Sequence, residues 1–174
     1  MLILLALAAV LDPVAAPAAP PPHLAKFSDL PNVAVTYYDV SGETVRQIQE
    51  SMQDNAPRDP NTGQIVSSRA SWTVDTGAEW QKTGAQCKIT GAKVIFHPSA
   101  VMPHLVPNWK TPAAAVAQWN GFVAQLEAKQ AGKLLLAYNR LDEVRRAILA
   151  SSCDNWQAAA NAAVDNLRGQ LAAH

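Results

Sequence analysis

The sequence predicts an α+β fold: a short antiparallel sheet with one short helix, followed by two C-terminal helices, one of them long, packed on the sheet. Three observations predict it. Strand-like stretches are confined to residues 33–102. Residues 112–149 then carry no proline after Pro112 and repeat apolar residues three or four apart, as one side of a helix does. A second Ala-rich stretch of the same character closes the chain at residues 154–171. Strands first and helices afterwards is the order of an α+β domain with its helices on one side of the sheet.

Each element has its own justification. Residues 33–40 alternate, with Val33, Val35 and Tyr37 on one face, and read as a strand. Ser41 is placed to cap a short amphipathic helix over residues 43–53, whose inner side would hold Val45, Ile48 and Met52. Residues 54–63, rich in Asn, Asp and Pro, form a loop. Residues 65–79 and 85–102 read as longer strands joined near residues 82–84, an antiparallel ribbon with Trp72, Val74, Ile89, Val94 and Phe96 facing the helices. Prolines between residues 103 and 112 end the sheet. In the long helix the stripe is Val116, Trp119, Val123 and Leu126, then Ala137, Leu141, Val144 and Ile148. The last helix turns Trp156, Ala160, Ala163 and Leu167 inward.

A chain of 174 residues that is 49% hydrophobic can bury one proper core but hardly two, so residues 33–174 are expected to form a single domain. Fourteen basic residues balance fourteen acidic ones, and no Lys/Arg cluster alternates with aromatics, which argues against nucleic-acid binding. Residues 1–18 read as a signal peptide: the apolar run over residues 2–11 is too short to span a hydrocarbon core of about 30 Å, and small residues follow at Ala15, Ala16, Ala18 and Ala19. No Lys or Arg precedes the run, so the signal is minimal or the true start lies upstream of Met1. Residues 19–32 are a Pro/Ala-rich leader, and its stiff proline-alanine stretch over residues 17–22 is assigned no packed role. The expected location is the periplasm or the exterior, with no membrane span.

Two cysteines in an exported chain point to a disulfide, Cys87 to Cys153, that would tie the sheet to the helical half. Closing so long a loop is worth about 4 kcal/mol in the chain-entropy picture. The alternative is two separate buried thiols. The four histidines are His23, His97, His104 and His174, none of them four residues from another. His97 and His104 beside Pro98 and Pro103 could be paired as metal ligands, but solvated loop histidines are the simpler reading. Asp142 and Glu143 lie among Arg140, Arg145 and Arg146, as surface ion pairs do. There is no G-x-S-x-G elbow and no glycine-rich phosphate loop.

The helical stripe breaks at Lys129-Gln130-Ala131-Gly132-Lys133. Extending the apolar positions inward lands on Gln130 and Lys133, and Lys129 and Lys133 form a like-charge pair four apart that costs a helix about 0.2–0.5 kcal/mol. Either this patch lines something functional, or it faces solvent while Leu134, Leu135 and Leu136 carry the apolar contact around it.

Residues 119–126 followed by this window, and then Cys153, resemble the bacterial family called domain of unknown function 922, whose members are predicted secreted zinc-dependent proteases. Such members carry H-E-x-G-H where this chain has residues 129–133. Tyr38-Asp39-Val40-Ser41-Gly42-Glu43-Thr44 is similar to the family's Tyr-x-Val-x-Gly-x-Thr entry, Ser71-Trp72-Thr73-Val74 to its Thr/Ser-x-Trp strand, and Cys87 completes the pattern. The resemblance covers nearly all of the chain after residue 33 and implies a zinc-protease-like fold. The departures fall on the chemistry. In the motif two histidines hold Zn²⁺ and the glutamate deprotonates its water. Lys129 and Lys133 would replace the histidines, and an ammonium has no lone pair to offer. Gln130 would replace the glutamate, and an amide is no general base at neutral pH. Zinc is the family's cofactor and is not expected here; no catalytic residue is expected either. The expectation is a non-catalytic pseudopeptidase that binds an envelope protein or peptide. The rivals are an active secreted zinc-dependent peptidase with ligands elsewhere and a purely structural envelope protein.

Overall fold

A computed structural model describes residues 24–60 and 62–172; the signal-peptide reading and leader residues 19–23 lie outside the described residues. The elements in chain order are a 3-10 turn η1 (Phe27–Asp29), β1 (Ala34–Val40), α1 (Val45–Asn55), β2 (Arg69–Thr83), β3 (Gln86–Leu105), α2 (Ala113–Tyr138), α3 (Leu141–Leu149) and α4 (Trp156–Ala172). The α+β reading stands, with two changes of architecture. The sheet is mixed and long-stranded: its order is β1-β3-β2, with β2 antiparallel to β3 but β1 parallel to it. Helix α1 and the connection after it carry the chain from one edge of the sheet to the other, so the hairpin returns β3 down the middle in the direction of β1.

The second change is in the helices. The single helix expected over residues 112–149 is two, α2 and α3, meeting at Asn139 and Arg140. A straight helix of that length would run about 57 Å, and the chain turns a corner instead. The corner lets Val144 and Ile148, both fully buried, turn onto Ile89, Ala160 and Val164. Arg140 holds the corner: its guanidinium donates to both carboxylate oxygens of Glu143, at 2.8 and 2.9 Å, and also reaches the Gln170 side chain on α4.

The hairpin closes at Gly84-Ala85, with Thr83 opposite Gln86 and Gly84 in the left-handed region at φ 62°. Trp72, Val74, Ile89, Val94 and Phe96 all enter the clusters beneath the helices; Ile89, an odd number of residues from Val94 and Phe96, shares their face because of the register shift at Glu79/Trp80, where Thr90 has no partner. β3 continues through Pro98 and Pro103 to Leu105, beyond the expected end of the sheet. Proline cannot donate to a ladder. Along β3 the pairing with β1 starts at Ser99 and the pairing with β2 ends at Val101, so Pro98 and Pro103 each lie where one flank of β3 is open.

In β1 the inner residues at the C-terminal end are Tyr38 and Val40, which join Ile48 and Trp119, while Tyr37 is 65% exposed, contrary to the expected Val33/Val35/Tyr37 face. The cap of α1 is Thr44 rather than Ser41. Its hydroxyl accepts from the Gln47 N–H at 3.3 Å, and the Gln47 side chain accepts in return from the Thr44 N–H at 3.2 Å. The packed domain also begins before residue 33. Leu30 is buried with Phe96 and Leu134, and the Phe27 N–H donates to Glu127 of α2 at 3.1 Å.

Candidate functional site

Helix geometry decides how the window at residues 129–133 is presented. Successive residues are rotated by about 100°, so Lys129 and Lys133 share one face and Gln130 lies on another. Both lysines are exposed, whereas Gln130 is 4% exposed and sits in the inner stripe with Ala131, Leu134 and Ala137. Gln130 Nε2 donates to Ser68 Oγ at 2.8 Å and towards the Ser68 carbonyl at 3.4 Å. The polar centre of the stripe is therefore half real: Gln130 is buried and satisfied, and Leu134 takes the inner place that the stripe would assign to Lys133.

The residues expected to be chemically notable elsewhere are dispersed. His97 and His104 stand seven residues apart on β3 and so project to opposite faces. His97 Nε2 lies 2.9 Å from Asp75 Oδ2, and His104 Nδ1 lies 3.2 Å from Asp39 Oδ1. Among the described residues no three His, Cys, Asp or Glu side chains converge as metal ligands. Asp142 pairs with Arg145 at 3.6 Å, and the Arg140 hydrogen bonds hold the Glu143 carboxyl below the usual carboxylate range. Cys87, near the ribbon tip, is bonded to Cys153 between α3 and α4, a closure of 66 residues. Among the described residues no helix is long and apolar enough to cross a membrane.

Sequence reasoning did not locate a wide open groove. It has a volume of about 760 Å³ and lies between the C-terminal end of β3, the loop after it, and the N-terminal half of α2. Trp109 and Tyr37 stand at its rim, and His104, Asn120, Val123 and Glu127 line it. Trp109 is 90% exposed, yet its loop is fastened at several points. The Val106 N–H donates to the Val40 carbonyl at 2.8 Å, Thr111 Oγ1 donates to the Gly42 carbonyl at 2.8 Å, and the Lys110 N–H donates to Asn108 Oδ1 at 3.0 Å. Lys110 Nζ lies 5.6 Å from the centre of the Trp109 ring and 3.1 Å from Glu43. The one sequence signal for this site was an unplaced tryptophan between Pro107 and Pro112.

Beside the groove, the Tyr38 hydroxyl donates to the Ser67 carbonyl at 2.8 Å, spanning β3, and burial pushes this phenol up to about 12. The sequence landmarks that looked like a family signature all have structural duties here. Tyr38 makes this cross-sheet bond, Val40 is fully buried, and Thr44 caps α1. A Cβ at Gly42 would come within 2.6 Å of the Ile48 backbone nitrogen.

The window presents two exposed lysines, and its one buried polar side chain is already bonded to Ser68. No curated protein and no solved structure matches the chain. The family model described as "Bacterial protein of unknown function (DUF922)" matches residues 35–174, from the first strand through the last helix, and this chain belongs to that family.

Proposed function

We propose that this protein is an exported, non-catalytic member of its family that works by binding in the periplasm or outside the cell. The observation that carries the reading is the position of Gln130. A general base must reach a water at an open site, and this side chain is an amide turned into the core, occupied by Ser68. Lys129 and Lys133, in the places of metal-binding histidines, face water. The groove below Trp109 is the surface on which binding would occur, since it joins exposed aromatic area to side-chain donors and acceptors.

Metal analysis of the chain purified without chelators tests the non-catalytic half. The expected result is zinc well below one equivalent, unchanged in a Lys133→Ala variant. Stoichiometric zinc that this substitution removes, or chelator-sensitive peptidase activity that copurifies with the chain, would overturn it.

A further inference from the structure

Trp109 is costly as it stands. Large aromatic area left in water forgoes the stabilisation of burial, about 25 cal/mol per Å², and nothing in the packing of the domain uses this ring. The ring nevertheless stands on a loop fastened by two hydrogen bonds to partners outside it, the Val40 and Gly42 carbonyls, and by one within it, from the Lys110 N–H to Asn108, while Lys110 Nζ, paired to Glu43, lies 5.6 Å from the ring centre. An exposed ring on a fastened loop is a prepared contact. Tyr37 at the same groove is also largely exposed, and its ring meets His104 edge-on at 6.2 Å between centroids.

Besides the two rings the groove offers an amide, Asn120; a carboxylate, Glu127, with one oxygen engaged by the Phe27 N–H; and an imidazole, His104, oriented by Asp39. Its carboxylate, Glu127, disfavours an anion, and the neighbouring cation, Lys110, is already paired with Glu43. The ligand that matches flat aromatic surface beside neutral and acidic hydrogen-bonding groups is a neutral sugar chain. A pyranose has C–H faces that pack on aromatic rings, and its equatorial hydroxyls both donate and accept. An apolar peptide side chain would instead be better served by an enclosed pocket.

We infer that the groove rimmed by Trp109 and Tyr37 binds a neutral polysaccharide strand. This rests on the binding role proposed above and names its ligand class. Calorimetric titration of the full chain with a neutral N-acetylglucosamine tetramer, and in parallel with a glucose tetramer, tests it. Saturable binding of at least one tetramer is expected. Trp109→Ala and Tyr37→Ala should each weaken it tenfold or more without lowering the melting temperature, and Trp80→Ala, which removes a second exposed tryptophan outside the groove, should leave it unchanged. No saturable binding of either tetramer at millimolar concentration, undiminished binding by Trp109→Ala, or preferential binding of an uncharged peptide of similar length would each overturn the inference. None of these outcomes bears on the metal analysis, so the ligand class and the non-catalytic reading fail separately.

Discussion

Gln130 and Lys133 lie three residues apart on one helix, and the apolar stripe of α2 points to both, yet only one is inside. The difference is physical cost. An amide can be buried if its hydrogen bonds are met, and Ser68 accepts from Gln130 Nε2 through its hydroxyl at 2.8 Å and its carbonyl at 3.4 Å. A lysine ammonium would need a buried counter-charge, and the chain places Leu134 there instead. Removing one partner of a buried hydrogen bond costs the desolvation of the group left behind, about 1–3 kcal/mol. Gln130→Ala is therefore expected to lower unfolding stability by that amount in urea titration, while Lys129→Ala changes it by less than about 0.5 kcal/mol, as exposed substitutions do. Equal, small effects at both positions would mean that Gln130 is not held by Ser68. The identities of these residues were legible in the sequence. Their orientation was not, because Ser68 is 62 positions away and no local pattern announces it.

Among elements, α2 carries a glycine that its own packing does not require. A Cβ built at Gly132 meets nothing within 4 Å, in contrast to Gly42, where it would strike the start of α1. Glycine inside a helix costs roughly 0.5–1 kcal/mol relative to alanine. Gly132→Ala is expected to raise the unfolding free energy by about that much, read as a higher urea midpoint at unchanged slope. A loss of stability would show that the backbone there is strained in a way the helix geometry does not reveal. The elements themselves were largely legible. Period-two alternation marked the ribbon and its inner face, because one side of each strand is buried and the other wet. The ends were less so: the cap at Thr44 was present as Thr-x-x-Gln, a signature in plain view. The corner between α2 and α3 has no proline to mark it and follows from where the apolar residues must go.

At the scale of the molecule, the disulfide joins the far end of the β-ribbon to the turn between α3 and α4, the two regions packed around Ile89, Val144 and Ile148. Loop closure over 66 residues is worth about 4 kcal/mol in the entropic picture. A Cys87→Ser/Cys153→Ser double variant should lose stability of this order and melt well below the parent. Reductant should move the parent to the same melting temperature and leave the variant unaffected. A variant as stable as the parent would show that the apolar cluster alone holds the two halves.

Periodicity, balanced charge and the spacing of landmarks determined the fold class, the family and the absence of metal-ligating side chains at residues 129–133, because each depends on residue types at fixed intervals along the chain. Strand direction, the bend in the long helix, the inward turn of Gln130 and the groove under Trp109 were decided only in three dimensions. Each arises where segments distant in sequence meet: β1 beside β3, Ser68 beside α2, and Tyr37 across from Trp109. Long-range packing settles which of several locally acceptable arrangements buries the most apolar surface without stranding a polar group.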